Sequence, residues 1–240
     1  MAGYHLNDDE STVGACVGTG AHSSAAHMLT AKMETGELSP KDEAEQAGLE
    51  SLHAEMEHGA IWDAATKDEN TAEQQVLRIT RTYRKHVAEI VKPIAVEKHL
   101  QAKHSSGLII SGHTDTIVTE PNLLRDLKTG VKSRWSAPQY GTYSRLLRAN
   151  KIPITGIVED YTKRVAITKN QPAPVEISYD VAQCEKIAET IIARIATDIE
   201  EWRESGEPTT FLANPSSMLC NKKYCRAWGT KFCTEHLGED

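Results

Sequence analysis

Two neighbouring segments in the middle of the chain place acids and a lysine where few folds can accommodate them. The first, Leu108 to Val118, reads as a strand and carries Asp115 just after Gly112-His113-Thr114. The second, Leu123 to Lys128, reads as a strand carrying Asp126 and Lys128. Side chains alternate faces along a strand, so Asp126 and Lys128 point the same way. If the two strands pair, Asp115 faces the same spot.

Two carboxylates beside one lysine make a hard oxygen site for a divalent cation, with an ammonium group ready for an anion. Phosphodiester hydrolysis needs those parts. Asp-x-Lys by itself is most often a surface ion pair on an edge strand. Its company here is the Gly-x-x-Asp of the preceding strand and Gly130 after the lysine.

Length and composition bound what the chain can be. Its 240 residues suffice for one domain, or one domain with appendages, and for a sizeable core. We divide it into an N-terminal helical part (1–90), a core (91–204) and a cysteine-rich tail (205–240). Apolar content of 39% and charged content of 25% are those of an ordinary globular protein. No apolar run approaches the ~20 residues of a membrane span. The polar, acidic start MAGYHLNDDES is unlike a secretory signal, so a cytoplasmic protein is expected, bacterial or phage-encoded.

The net charge of −7 argues against nucleic acid, but its distribution does not. The stretch from Glu34 to Glu73 is strongly acidic. Between Arg125 and Lys151 the cations Arg125, Lys128, Lys132, Arg134, Arg145, Arg148 and Lys151 face only Asp126. The tail adds Lys222, Lys223, Arg226 and Lys231. Such a strip suits a phosphate backbone; the plainer reading is solvated helix faces.

Taken in order, residues 1–14 read as a lead-in. A helix then runs through Gly18-Thr19 and His22 to about Lys32. Ser39-Pro40 with acids behind it predicts a capped helix running to about Ala65. That helix holds His53, Glu55, Glu57 and His58, whose spacing lacks the i,i+4 histidine pair of a zinc helix, so it reads as a solvated face. Thr71 and Gln74 resemble a capping box, and Val76, Ile79, Tyr83 and Val87 form one apolar stripe. After Pro93 comes a strand with Glu97. A helix over Ala137 to Ala149 carries Gln139 and Tyr143 on one face. Ile152 to Ile167 reads as one or two strands, ITGIVEDY and RVAIT. Asp180 to Trp202 is a helix with the seam Val181, Cys184, Ala188, Ile191, Ile195, Ile199 and Trp202, which makes Cys184 a core thiol. Ser205-Gly206-Glu207-Pro208 ends it.

GHTDTIV followed by LRDLKTG resembles the PD-(D/E)xK nuclease superfamily, in its RecB-like branch of phage recombination exonucleases and CRISPR-associated adaptation nucleases. The resemblance spans about His22 to Cys233. It implies an α/β, restriction-endonuclease-like core: a central mixed sheet flanked by helices, preceded by N-terminal helices and followed by a cysteine-rich, metal-binding tail. It also implies an Mg²⁺- or Mn²⁺-dependent deoxyribonuclease, acting as an exonuclease in recombination, repair or phage DNA processing. A site-selective endonuclease of the same fold and a catalytically dead nucleic-acid-binding protein are the alternatives.

Carried over residue by residue, the resemblance makes Asp115, Asp126, Lys128 and Glu97 catalytic. His22, within an element like GTxxH, joins Asp115, Asp126 and the Leu127 carbonyl on the metal, and Gln139 and Tyr143 of a QxxxY element bind substrate. For His22 a capping or surface role, and for Glu97 an ordinary strand position, stay open. DNA ends are the implied substrate. A second copy of the chain and a recombination protein are candidate partners.

The tail carries Cys220-x4-Cys225-x7-Cys233. In a reducing compartment such clustering favours metal over disulfides. The family's pattern implies a structural [4Fe–4S] cluster with a fourth, upstream cysteine, for which Cys16 is the candidate. Zn²⁺ held by the three cysteines and His236, or three unligated thiols, are the competing readings.

Overall fold

The computed structural model describes residues 11–57, 59–119, 121–206, 220, 222, 225, 227–231 and 233. The chain divides into two compact units, residues 11–190 and residues 1–10 with 191–240. The described residues that form the candidate site lie in the first.

That unit begins with a two-residue strand, β1 (Ser11–Thr12), whose second residue caps the helix α1 (Val13–Thr35): Thr12 Oγ1 accepts from the Ala15 amide. The helix therefore starts earlier than the lead-in reading supposed. Next come α2 (Lys41–Met56) and β2 (Ala60–Ile61), which pairs parallel with β1. α2 stops nine residues short of the expected Ala65, because the chain turns at Gly59, whose amide bonds Met56 O. Pro40, not Ser39, stands at its cap position, and the Ser39 hydroxyl makes no capping bond. In α3 (Glu69–Tyr83) the cap is Asp68, which accepts from the Thr71 amide; the Thr71–Gln74 box does not form. The stripe Val76, Ile79, Tyr83, Val87 is buried as expected. A π-helical turn (Arg84–Ala88) ends this helical part.

The sheet follows: β3 (Pro93–Lys103), β4 (Ile109–Val118), β5 (Leu123–Gly130), the helix α4 (Ala137–Ala149), β6 (Gly156–Lys163), β7 (Val175–Tyr179) and α5 (Val181–Ser205). The five strands lie in the order β3-β4-β5-β6-β7, with β5–β6 parallel and the other pairs antiparallel. The crossover through α4 is what a parallel pair requires. This is an α/β fold built on a mixed five-stranded sheet.

Each face of the sheet has its own apolar cluster. One packs Val17, Ala21, Met28, Leu52, Val76 and Ile79 of α1–α3 against Val118 and Leu127. The other packs Tyr140, Leu146, Leu147 and Cys184 against Leu100, Ile117, Leu124 and Ile157.

The segment read as the strand RVAIT is not one. Its backbone oxygens are taken by side chains of α3: Gln75 Nε2 donates to Val165 O (3.1 Å) and Arg78 Nη1 to Ile167 O (3.0 Å). Arg164 turns inward onto Asp63 (2.5 Å) and Thr66. The fifth strand is β7 instead. In α5, capped by Asp180 at the Gln183 amide (2.6 Å), burial steps in fours through Cys184, Ala188, Ile192 and Ala196. Ile191 and Ile195, placed on the seam by the sequence reading, are exposed. α5 ends at Ser205, where Gly206 takes a left-handed conformation (φ 70°). No helix among the described residues is long and apolar enough to cross a membrane.

α4 and α5 meet at Gly141, where an added Cβ would sit 2.0 Å from Cys184 O and 2.8 Å from Ala188 Cβ. Alanine gains about 1 kcal/mol in helix propensity, but overpacking against a backbone carbonyl costs about 1–3 kcal/mol and is not relieved by a rotamer change. Gly141→Ala is therefore expected to lower the urea midpoint of unfolding. An unchanged or raised midpoint would contradict this helix contact.

Candidate active site

β4 and β5 pair over only three residue pairs, Thr116–Arg125, Ile117–Leu124 and Val118–Leu123. Beyond them the ladder stops, and Asp115 takes its place: its Oδ2 accepts from the Leu127 amide at 2.9 Å. A carboxylate thereby satisfies an amide that the ladder leaves free, the one that follows Asp126 along β5. Leu127, whose carbonyl the resemblance puts on the metal, bonds Asp115 through its amide, and its side chain lies in the apolar cluster of α1–α3.

Asp126 is fully buried. Its Oδ2 accepts from Lys128 Nζ (2.7 Å) and the Tyr140 hydroxyl (3.1 Å). Its Oδ1 is buried with no hydrogen-bond partner among the described residues. Burial, and after it the neighbouring Asp115, raise Asp126 to about 6, with Lys128 and His22 opposing. For Lys128, burial works against the charge, but Asp126 outweighs it and the ammonium is held above its usual range.

His22 comes from α1. Gly18 stands one turn before it on the same face, and a Cβ there would sit 3.1 Å from Thr129 Oγ1 of β5. The missing side chain lets α1 approach the sheet closely enough for His22 Nδ1 to lie 3.2 Å from Asp115 Oδ2. Burial disfavours the imidazolium, yet Asp115 outweighs it and raises His22 to about 9.

Glu97 approaches from β3 with φ 44°, left-handed backbone that non-glycine residues rarely adopt. The ladder steps over it, from Val96–Thr116 to Lys98–Thr114. Burial and then Asp115 raise its carboxyl to about 7, with His22 opposing. Solvent screens part of that effect, because Glu97 is exposed. Ligand atoms of His22, Glu97 and Asp115 lie within 4.8 Å of one another.

Gln139 Nε2 donates to the Tyr143 hydroxyl (2.9 Å) on the site side of α4. The Tyr143 ring lies against Gly112, where a Cβ would sit 2.9 Å from Cε1. Tyr143 is raised by burial first and then, against the effect of Gln139, by Asp126 and Asp115, which puts it in the field of the same acids.

Beneath the site lies a network that the sequence reading missed. Glu159 of β6 is fully buried. It accepts from Ser133 Oγ (3.2 Å), the Tyr140 hydroxyl (2.8 Å) and the Tyr179 hydroxyl (3.2 Å). The single proton of Tyr140 thus lies between Glu159 and Asp126. Its neighbour Asp160 takes two bonds from Arg125 (3.0 and 2.5 Å). The signal was two adjacent acids inside the apolar strand Gly156–Lys163.

Arg125 is accordingly a buried structural cation and not part of a phosphate-binding strip. Arg145 pairs with Glu189 and Arg148 with Glu185. Lys132 and Arg134 are exposed and have no ion pair among the described residues.

On the surface, His53 meets Glu73 (2.8 Å) and Glu69 (3.6 Å) of α3, and this trio also converges closely enough for an ion. Glu55 and Glu57 take no part in it, and His58 lies outside the described residues. Cys16 is buried among the apolar residues of α1–α3, and burial raises its thiol. Cys220, Cys225 and Cys233 are half-buried free thiols. No convergent ligand group among the described residues contains a cysteine. His236 and most of the tail between the cysteines lie outside the described residues.

No family model matches the sequence, and no curated protein matches it. The fold does match the crystal structure of a protein from Eubacterium rectale described as a putative exonuclease, with a TM-score of 0.55 at 12% identity, over 89% of this chain and 75% of that one. The two chains share an α/β fold.

Proposed function

We propose that the protein is a divalent-metal-dependent DNA exonuclease that hydrolyses phosphodiester bonds. The observation that carries this reading is the buried Asp126 Oδ1, without a partner among the described residues, beside Lys128 and in the electrostatic field of the converging His22, Glu97 and Asp115. Oxygen donors with one imidazole suit Mg²⁺ or Mn²⁺. A bound ion of this kind would lower the pKa of a water and polarise a phosphate. A fold shared with a protein described as an exonuclease supports the choice of exonuclease over endonuclease.

Within this reading each side chain has a task. Asp115, Asp126, Glu97 and His22 hold the ion. Lys128, fixed by Asp126, donates to the phosphate and stabilises the charge that develops on it. Gln139 and Tyr143 hydrogen-bond the strand, while Lys132 and Arg134 are free to meet its phosphates. A structural iron–sulfur or zinc role is proposed for Cys220, Cys225 and Cys233, with His236 as a ligand in the zinc reading. Metal and iron analysis of freshly purified protein decides among the three tail readings.

Asp126→Ala and Lys128→Ala are each expected to reduce cleavage of linear DNA in Mg²⁺ or Mn²⁺ by at least about 100-fold while DNA binding persists. Loss of linear DNA with nicked and circular DNA spared supports an exonuclease. Discrete fragments would point to an endonuclease, and parent-rate cleavage by Asp126→Ala would refute the assignment.

Cation binding should also release protons. Asp126, Glu97 and His22 are raised to about 6, about 7 and about 9, so the ion-free site holds protons that bound metal expels. Affinity is expected to rise with pH and to level off above about 9, with about one to two protons released near neutral pH. Calorimetry in buffers of different ionisation enthalpy measures this. At about pH 8, where His22 carries most of these protons, His22→Ala should lower the release; release unchanged there would contradict the role of His22.

A further inference from the structure

The connection from β5 to α4 is a short loop held firmly at its base. Gly130 O accepts from the Arg164 amide (2.9 Å) and the Tyr161 hydroxyl (2.9 Å). Ser133 Oγ donates to the buried Glu159, which shares the Tyr140 hydroxyl with Asp126. Ser136 O accepts the Tyr140 amide (3.1 Å), so the far end is already the first turn of α4. The loop is thereby anchored to the same carboxylate network that underlies the site.

Its outer side is chemically different. Trp135 is 67% exposed and Val131 45% exposed. The cations beside the tryptophan, Lys132 and Arg134, are exposed and have no ion pair among the described residues. A large aromatic surface left in water on an anchored loop, with two cations in the three residues before it, has the composition of a base-stacking platform with adjoining phosphate contacts. The position fits too: Trp135 stands seven residues after Lys128 and four before Gln139.

Resting on the nuclease reading above, the geometry points to Trp135 as the residue that stacks on an unpaired nucleobase of the strand entering the site, with Lys132 and Arg134 on the adjoining phosphates. The ligand class is single-stranded nucleic acid or a frayed end, gripped without regard to base identity, since every base presents a π-face. The anchoring at Gly130, Ser133 and Ser136 means that little loop entropy is lost on binding.

The test compares binding of two labelled strands of equal length by fluorescence anisotropy, using the full chain in Ca²⁺. One strand is oligothymidylate and the other has every base replaced by an abasic residue. Trp135→Ala is expected to weaken oligothymidylate binding about 5- to 100-fold and to leave the abasic strand within about twofold. Trp135→Phe should retain most of the affinity. Trp135→Leu keeps apolar bulk without a π-face, should behave as the alanine variant does, and replaces it if alanine lowers thermal stability. Equal losses on both strands, or no loss on oligothymidylate, would overturn the inference, the latter pointing to a protein partner for this side chain. Wild-type protein that cleaves DNA yet shows no base dependence overturns this inference alone. Wild-type protein that binds neither strand and cleaves nothing overturns the nuclease reading with it.

Discussion

Asp126 is a fully buried carboxylate with one oxygen bonded to Lys128 and Tyr140 and the other to nothing among the described residues. An unsatisfied buried acceptor costs about 1–3 kcal/mol, and more when charged. The rest of the unit is arranged so that this residue stays where it is. The β5–β6 ladder fixes its backbone, and the apolar clusters on the two faces of the sheet hold that ladder in place. Asp115 bonds the next amide along β5. Burial first, and then the second carboxylate placed there, raise Asp126 to about 6. A fold that only needed stability would put an apolar side chain at one of these positions; under the proposed function a divalent cation would give the pair a purpose.

Departures from regular structure gather around the same point. β4 and β5 separate just past Thr116–Arg125, and Glu97 sits in a left-handed conformation where β3 faces the split. Gly18 thins α1 where it crosses β5, which carries His22 over the gap. Three different elements therefore deliver one side chain each to the opening, while Tyr140 and Glu159 brace Asp126 from below. Rigidity beneath and strain above is the arrangement expected of a site that must hold a charged ligand in fixed geometry.

Much of this was legible in the chain. The alternation in LRDLK placed Asp126 and Lys128 on one face, and GHTD placed Asp115 on the adjoining strand, because strand period and local apolar pattern are sequence-near properties. The stripe from Val76 to Val87 was legible for the same reason. What escaped was decided by partners distant in sequence. Residues 164–168 look like a strand until Gln75 and Arg78 of α3 take their carbonyls. Arg125 looks like a surface cation until Asp160 and Glu176 enclose it. Ile191 and Ile195 look like seam residues until the helix steps from Ala188 to Ile192. Glu159 carries no local signal beyond being an acid in an apolar run, and its role follows only from hydroxyls supplied by three other segments.

The most direct test is to locate the ion. Crystals of the protein soaked in Mn²⁺, with data collected to exploit manganese anomalous scattering, should show a peak within bonding distance of Asp126 Oδ1 and an oxygen of Asp115, with the His22 imidazole turned towards it. A peak elsewhere, such as at His53, with none beside Asp126, would contradict the account.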